Sequence, residues 1–487
     1  MSAARPGRVL ILGCGSVAQC TAPLLVRDLG FKPSQVRIVD FVDNRHRVAY
    51  LIAQGVTYEQ ERITPENLDS FLSERVGSGD MLLDLAWNID CNVILQWCRD
   101  HNVRYLNTSV EVWDPYYDMA ITDPRDRTLY VRHMSMRRMI NSWGDNNGAS
   151  AVVEHGANPG LVSHFAKQAL TEISTKLLTE GKAGDRKSAL ESALAGREYN
   201  RLAHLTGTKV IHISERDTQI SNHPKEVNEF VNTWSVEGFY EEGVAPAEMG
   251  WGTHEKQLPD YAFVHEGEGP ENQICIAQPG MLTWVRSWVP CGEIRGMVIR
   301  HGEAFTMSDH LTVWDENGKA AYRPTVHYAY CPSDSGVLSV HELLMRDWEM
   351  QPRQRILNNE IISGRDELGV LLLGHDYTGW WTGSMLSIDE ARQIIPDQNA
   401  TTLQVAASIV GAVTWMINNP NEGVRVPDDL PWEDVLKVAT PYLGSMHSGP
   451  TDWTPLKGRN DLFPGFGGYS DGLDHTDPWQ FRNFLIS

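Results

Sequence analysis

Apolar positions in the first 155 residues fall into short blocks that alternate between two periods. Val9–Leu12 and the runs 35–39, 81–86 (MLLDLA), 103–106 and 151–153 are compact apolar stretches bounded by Gly, Asn, Asp or Ser, as expected of strands buried on both faces. Between them the apolar residues recur at helical spacing. Val17, Leu24, Leu25 and Leu29 mark a helix over 16–29 stopped by Gly30, and a second helix over 42–53 is closed by Gly55. Thr64-Pro65-Glu66 starts another helix, with Leu68, Phe71 and Leu72 inward, and Val93, Ile94, Trp97 and Cys98 mark one over 88–101. Strand and helix alternating in this way predict a doubly wound parallel sheet over residues 1–155.

Beyond 155 the texture changes. Amphipathic helices are expected over 161–178 and 188–205. From 208 to 385 come short β-rich runs, KVIHIS, TWVRSW, GMVIRHG, HLTVW and TVHYAYC, with Asn317-Gly318 as a hairpin turn. Sequential strands joined by hairpins make a largely antiparallel sheet, so 156–385 reads as a second, α+β domain. Within it, the Gly- and acid-rich stretch 228–280 reads as a long irregular loop region. Residues 386–442 return to helix, with the stripe Ala406, Ile409, Val410, Val413 and Met416, and are expected to pack on the first domain. The tail 443–487 carries Trp453, Phe463, Phe466, Tyr469, Trp479, Phe481 and Phe484, too aromatic to float free, and is expected to wrap over its own subunit or a partner. The fold class is thus α/β, a doubly wound parallel sheet plus an α+β domain.

The first strand runs straight into Gly13, Cys14, Gly15, Ser16, Val17 and Ala18, a G-x-G-x-x-A fingerprint. Gly13 permits the tight turn, Gly15 lets the backbone approach a pyrophosphate, and Ala18 lets the next helix lie close to the sheet. The helix N-terminus then offers free N–H groups and the positive end of its dipole to phosphate. Asp40 ends the second strand 25 residues beyond Gly15, near the spacing at which an acid takes the ribose hydroxyls, and it would repel the extra phosphate of NADP. This is a Rossmann domain for NAD. Ligands in such sheets lie beyond the C-terminal strand ends, which selects three further loops, Ala86 with Trp87, Asn88, Ile89 and Asp90, then Asn107 with Thr108, Ser109 and Glu111, then 154–160 (EHGANPG) with Asn158 and Pro159. Capping of the next helix is the competing role for each Asn and Asp here.

An excess of 63 acids over 42 bases, giving a net charge of −21, argues against a nucleic-acid partner and permits a cationic small molecule. No run approaches 18 uninterrupted apolar residues, and no secretory leader pattern opens the chain. Seven cysteines, an odd number without C-x-x-C spacing, predict reduced thiols in a cytoplasmic protein and no zinc framework. The second domain concentrates acids beside aromatics: Glu215 in HISERD, Trp234, Glu237, Glu241 and Glu242 in TWSVEGFYEEG, His301 and Glu303 in VIRHGEA, and Asp366 in SGRDELG. Carboxylates converging with an indole suit a primary ammonium, by charge-assisted hydrogen bonds and cation–π attraction.

GCGSVA with VRIVD, the DLAWNID loop, NTSVE, EHGANPGLVSHF, EGFYEEG, GMVIRHGEA and SGRDELGVLLLGHDYTGWWTGS together resemble the bacterial homospermidine synthases of the saccharopine dehydrogenase-like group. The resemblance implies a homodimer acting on putrescine, and on other short diamines, with NAD as a prosthetic group. One putrescine is oxidised to an imine, a second condenses with loss of ammonia, and the bound NADH reduces the product to homospermidine. By the same resemblance Trp234 is the cation–π tryptophan beside the channel, Glu215, Glu242, His301, Glu303 and Asp366 line it, and Asp90, Glu111 and Asn158 are pocket residues from the first domain. The choices between Glu241 and Glu242 and between Asn88 and Asp90 stay open. Two rivals remain. A saccharopine-type dehydrogenase would need Arg or Lys for substrate carboxylates, for which Arg295, Arg300 and Arg365 are available, and a non-catalytic NAD sensor would carry the same fingerprint.

Overall fold

The computed structural model describes residues 5–115, 123–459 and 472–486. Its first sheet has seven parallel strands, in the spatial order Val424–Arg425, Ala151–Val152, Arg104–Asn107, Met81–Asp84, Val9–Leu12, Val36–Asp40 and Thr57–Gln60. The strand order reverses between Val9–Leu12 and Met81–Asp84, and the crevice opens there, beyond Gly13 and Ala86. Apolar strands of this kind bury both faces. On one face Val9, Ile11 and Leu83 pack with Ala18, Ala22 and Leu25 of the helix Ser16–Arg27 and with Ile409, Val413 and Met416 of the helix Ala400–Asn418. On the other, Leu10, Leu12 and Leu82 meet Phe71, Leu72, Ile94 and Trp97.

The helix Ala400–Asn418 is long and apolar enough to cross a membrane by length and composition, but 83% of it is buried inside the protein. It spans both halves, with Ala406 and Val410 in a cluster with Leu386 of the second sheet. After it the chain supplies the edge strand Val424–Arg425 to the first sheet.

The second sheet is mixed. Most neighbours are antiparallel, including Arg365–Leu373 with Gly379–Ser387 and with Val210–Asp217, but Thr325–Cys331 runs parallel to Val210–Asp217. The Asn317-Gly318 turn joins the small hairpin Val313–Trp314 and Ala320–Tyr322. Several expectations need correction. The stretch 228–280 is irregular only over 251–272, around the short strand Ala262–Val264; the rest holds the strands Glu229–Asn232, Pro246–Gly250 and Gln273–Pro279 and the helix Val236–Val244, because its Gly and acid content masks buried positions such as Phe230, Phe239, Met249 and Glu248. The helix expected over 188–205 is two, Lys187–Gly196 and Tyr199–Thr206, broken at Arg197 with φ 53°. The one over 42–53 shortens to Ala49–Gln54 after a 3-10 turn. Two helices, Leu129–Ser142 and Gly302–His310, carry too weak a stripe to be foreseen. In the tail, Trp453, Trp479, Phe481 and Phe484 bury against the second sheet of their own chain, with Arg286 N–H donating to the Phe484 carbonyl at 2.8 Å. Phe463, Phe466 and Tyr469 lie outside the described residues.

Candidate functional site

One cavity of about 660 Å³ joins the crevice of the first sheet to the acidic face of the second domain. At its first-domain end the backbone does the shaping. Gly13 has φ +85°, and a Cβ there would stand 2.7 Å from the Leu85 carbonyl oxygen, so no other residue fits the turn. Its N–H donates to the Val39 carbonyl at 2.8 Å. Gly15 is the residue that caps the helix Ser16–Arg27, without a side-chain cap, and a Cβ there would meet nothing within 4 Å. Unsatisfied N–H groups therefore face open space, the arrangement a pyrophosphate needs. Asp40 braces the same turn, accepting from Cys14 N at 2.7 Å and Val42 N at 2.9 Å, and still lines the cavity. Gly13, Gly15, Ser16, Val17, Asp40, Ala86, Asn88, Thr108, Ser109 and Asn158 all line it. Pro159 does not. It shapes the loop through its carbonyl, which accepts from Gly156 N at 2.6 Å.

At the other end side chains from distant segments converge. Glu215, on Val210–Asp217, accepts from the Tyr328 hydroxyl and from Asn158 Nδ2 at 3.3 Å. Burial pushes its carboxyl up to about 7, against the pull of the Tyr328 bond and with a push from Asp217. Glu242, on Val236–Val244, stands 2.9 Å from His301 Nε2, and Glu303 stands 3.4 Å from His301 Nδ1. Burial opposes charge on His301, but the two flanking carboxylates outweigh it and hold the imidazolium well above its ordinary range. The Tyr328 ring meets His301 edge-on at 4.4 Å. Trp234 is half-buried on the wall, its indole N–H donating to the Tyr330 hydroxyl at 2.8 Å. Glu111 lines the cavity from the first domain, accepting from Ser109 Oγ at 2.8 Å. Burial, and then the charge of Glu241, push it up to about 8.

Not every expected residue reaches the cavity. Asp90 is a correction: it caps the helix Cys91–Asp100, accepting from Val93 N at 3.1 Å, while Asn88, at φ 57°, takes the lining position. Glu303 lies fully buried behind His301. Asp366 is one layer back as well, accepting from Thr401 Oγ1 at 2.6 Å, and it is Thr401 that lines the wall. Burial first, then the charges of Glu215 and Asp217, raise Asp366 well above the usual carboxylate range. Of the adjacent acids, Glu242 faces the cavity and Glu241 turns inward to Arg132 and Arg300. Sequence reasoning missed Tyr328, Thr401 and Gln404 as lining residues. Tyr328 and Tyr330 had a signal, since alternation along Thr325–Cys331 puts both on one face, with Tyr330 in register with Glu215. Thr401 and Gln404 had none.

The comparisons fit this two-part site. Residues 9–152 match the saccharopine dehydrogenase NADP binding domain, and 156–450 match the saccharopine dehydrogenase C-terminal domain. Homospermidine synthases from Blastochloris viridis and Mesorhizobium japonicum are 41% and 40% identical, each over 99% of this chain and over 97% and 96% of their own lengths. The chain belongs to the homospermidine synthase family. A homospermidine synthase from Legionella pneumophila, solved in complex with NAD, superposes with a TM-score of 0.86 at 36% identity, covering 99% of this chain and 98% of that one. In this family member the arginines that could have served a carboxylate-bearing substrate are engaged elsewhere. Arg300 is bound to Glu241, Arg295 lies 4.6 Å over the Trp284 ring, and Arg365 pairs with Glu367 at 2.7 Å.

Proposed function

We propose that this chain is a homospermidine synthase that keeps NAD as a prosthetic group and transfers an aminobutyl group from one putrescine to a second, releasing ammonia. One observation carries the reading. Glu111, Glu215, Glu237 and Glu242 line the cavity beside Trp234, while the one Lys or Arg among its described lining residues is Arg62, whose guanidinium lies 4.9 Å over Phe41, next to Asp40 at the opposite end. Burial holds Glu111 up to about 8 and Glu215 up to about 7, and an ammonium beside them draws both into the ionised form. Such a wall suits a doubly protonated alkyl chain, whereas the carboxylates of saccharopine-type substrates would meet acids instead of a Lys or Arg.

Gly13, Gly15, Ser16 and Val17 would hold the pyrophosphate, and the Asp40 carboxylate at the strand end favours NAD over NADP. When bound, NAD supplies a hydride acceptor for the first amine and a hydride donor for the condensation product. The protein supplies the proton handling and the order. Glu215, titrating near neutrality, pairs with the ammonium of one end and is able to take its proton, an oxygen already oriented by Tyr328 and Asn158. Glu242 receives the second cation, and His301, fixed between Glu242 and Glu303, passes a proton at Nε2. Trp234 offers its ring face to the cationic chain between them.

The odd number of cysteines, without C-x-x-C spacing, supports a reducing, cytoplasmic setting. The homodimer is taken from the family resemblance, and sedimentation is its test. For the activity, the protein is incubated with putrescine and substoichiometric NAD without an external oxidant. Homospermidine and ammonia should form in equal amounts over many turnovers per NAD, with no accumulation of free NADH. NADH accumulation without a secondary amine product would overturn the reading.

A further inference from the structure

Among the buried charges that this mechanism leaves idle, Arg132, Glu241 and Arg300 tie the two domains together beside the amine end. Glu241 and Glu242 are consecutive on the helix Val236–Val244, and Arg300 and His301 are consecutive at the start of Gly302–His310. The two elements are therefore tied twice, by His301 to Glu242 at the cavity wall and by Arg300 to Glu241 in the interior. Arg132, on the helix Leu129–Ser142, extends the inner tie to the first domain. One arm of its fork, Nη2, donates to Glu241 Oε1 at 2.6 Å, and the other, Nη1, donates to the Val110 carbonyl at 2.8 Å. Val110 immediately precedes Glu111, whose own carbonyl is held by Cys91 N at 3.1 Å. Arg300 is anchored in turn on the Arg127 carbonyl at 2.6 Å.

Three ionised groups buried together are a poor source of stability, because the cost of taking each from water cancels most of the attraction. What a planar guanidinium fork supplies is direction, with two bonds at a fixed angle that lysine does not reproduce. Here the fork spans the junction between the element bearing Glu111 and the element bearing Glu242. We propose that Arg132, acting through Glu241 and Val110, is a positioning residue that fixes the helix bearing Glu242 against the first-domain loop bearing Glu111, so that it sets how far the seat of the second cation lies from Glu215 and selects diamines by the separation of their two ammonium groups. This rests on the diamine reading above.

The test compares wild type, R132K and R132M on 1,3-diaminopropane, putrescine and cadaverine, with the NAD dissociation constant of each variant measured by fluorescence titration. R132K keeps the charge but reaches one partner instead of two. It should narrow the preference for putrescine over cadaverine by about tenfold, through KM more than kcat, with R132M narrower still and NAD affinity unchanged within about twofold. Equal slowing on all three diamines, with the ratios unmoved, would make Arg132 mere packing and overturn the proposal. Should R132M fail to fold, the ratios in R132K decide alone. A wild type that makes no homospermidine from putrescine overturns the diamine reading itself, and the selectivity role with it.

Discussion

At one end of the cavity the chain meets its ligand with backbone, and at the other with side chains. The fingerprint end is assembled by residues close in sequence, a glycine turn, a bare helix N-terminus and a brace from Asp40. The amine end is assembled from residues 111, 158, 215, 234, 242 and 301, delivered by separate loops, strands and helices of both domains. The first kind of site depends on what is missing, a Cβ, and is intolerant of any addition. The second depends on charge held out of water, and it is sensitive to titration and to small changes of aim.

The sharpest way to separate the two ends is to neutralise one carboxylate at a time. E242Q removes the negative charge that His301 faces at 2.9 Å, and E215Q leaves the Tyr328 hydroxyl an acceptor but removes the carboxylate that takes the substrate's proton. For E242Q, losing one member of a charged pair costs about 3 kcal/mol, on the order of 100-fold in kcat/KM for putrescine, and E215Q, which removes the proton acceptor itself, should cost on the order of 100-fold or more. NAD affinity should not move. At the other end, G15A should do the reverse. Its φ of −71° suits alanine and the added methyl touches no protein atom, so the melting temperature should hold while NAD affinity falls at least about tenfold, read by titration. G13A, at φ +85° and 2.7 Å from a carbonyl oxygen, should instead lower the melting temperature.

Acid should distinguish the ends as well. Burial raises Glu215 from 4.5 to about 7, so kcat/KM should fall as the pH drops through 7, and E215Q should lack that limb. The sign for stability is opposite to that of an ordinary ion-paired acid. Between about 4.5 and 7 the folded chain keeps a proton on Glu215 that the unfolded chain has released, so this group's contribution to stability diminishes as the pH rises. The smallest effect belongs to Trp234. A cation–π contact is worth about 0.5–2 kcal/mol, so W234A should raise KM for putrescine roughly 2- to 30-fold, and W234F should keep most of the affinity. Activity retained in W234A but lost in W234F would exclude that role.

The same contrast governs what was legible beforehand. The fingerprint, its strand and Asp40 sit within one short stretch where glycine spacing reports backbone shape, so the nucleotide end could be written down from the sequence. The acids of the second domain stood out by composition, but which of them face inward depends on register and on helix phase. Glu241 and Glu242 are chemically identical neighbours, about 100° apart on a helix, and only packing sends one to the arginines and the other to the cavity. Asp90 and Asn88 exchange roles for a similar reason, since a residue able to accept from a helix N-terminus is most often used there. The order within 228–280 was hidden because its strands bury polar residues such as Glu248, whose carboxylate accepts from Leu129 N and Tyr130 N at 2.8 and 2.9 Å. Periodicity cannot see a buried acid whose partners lie more than a hundred residues away.

The late arrival of one short segment has a consequence for how the molecule is made. The nucleotide-binding sheet is finished only by Val424–Arg425, and the face that Ser16–Arg27 covers in part is completed only by Ala400–Asn418. A nascent chain therefore exposes the uncovered part of that apolar face on the ribosome until residues 400–418 have emerged. Newly made N-terminal halves should thus be clients of holding chaperones, and truncations anywhere before residue 425 should be degraded rather than accumulate as nucleotide-binding fragments.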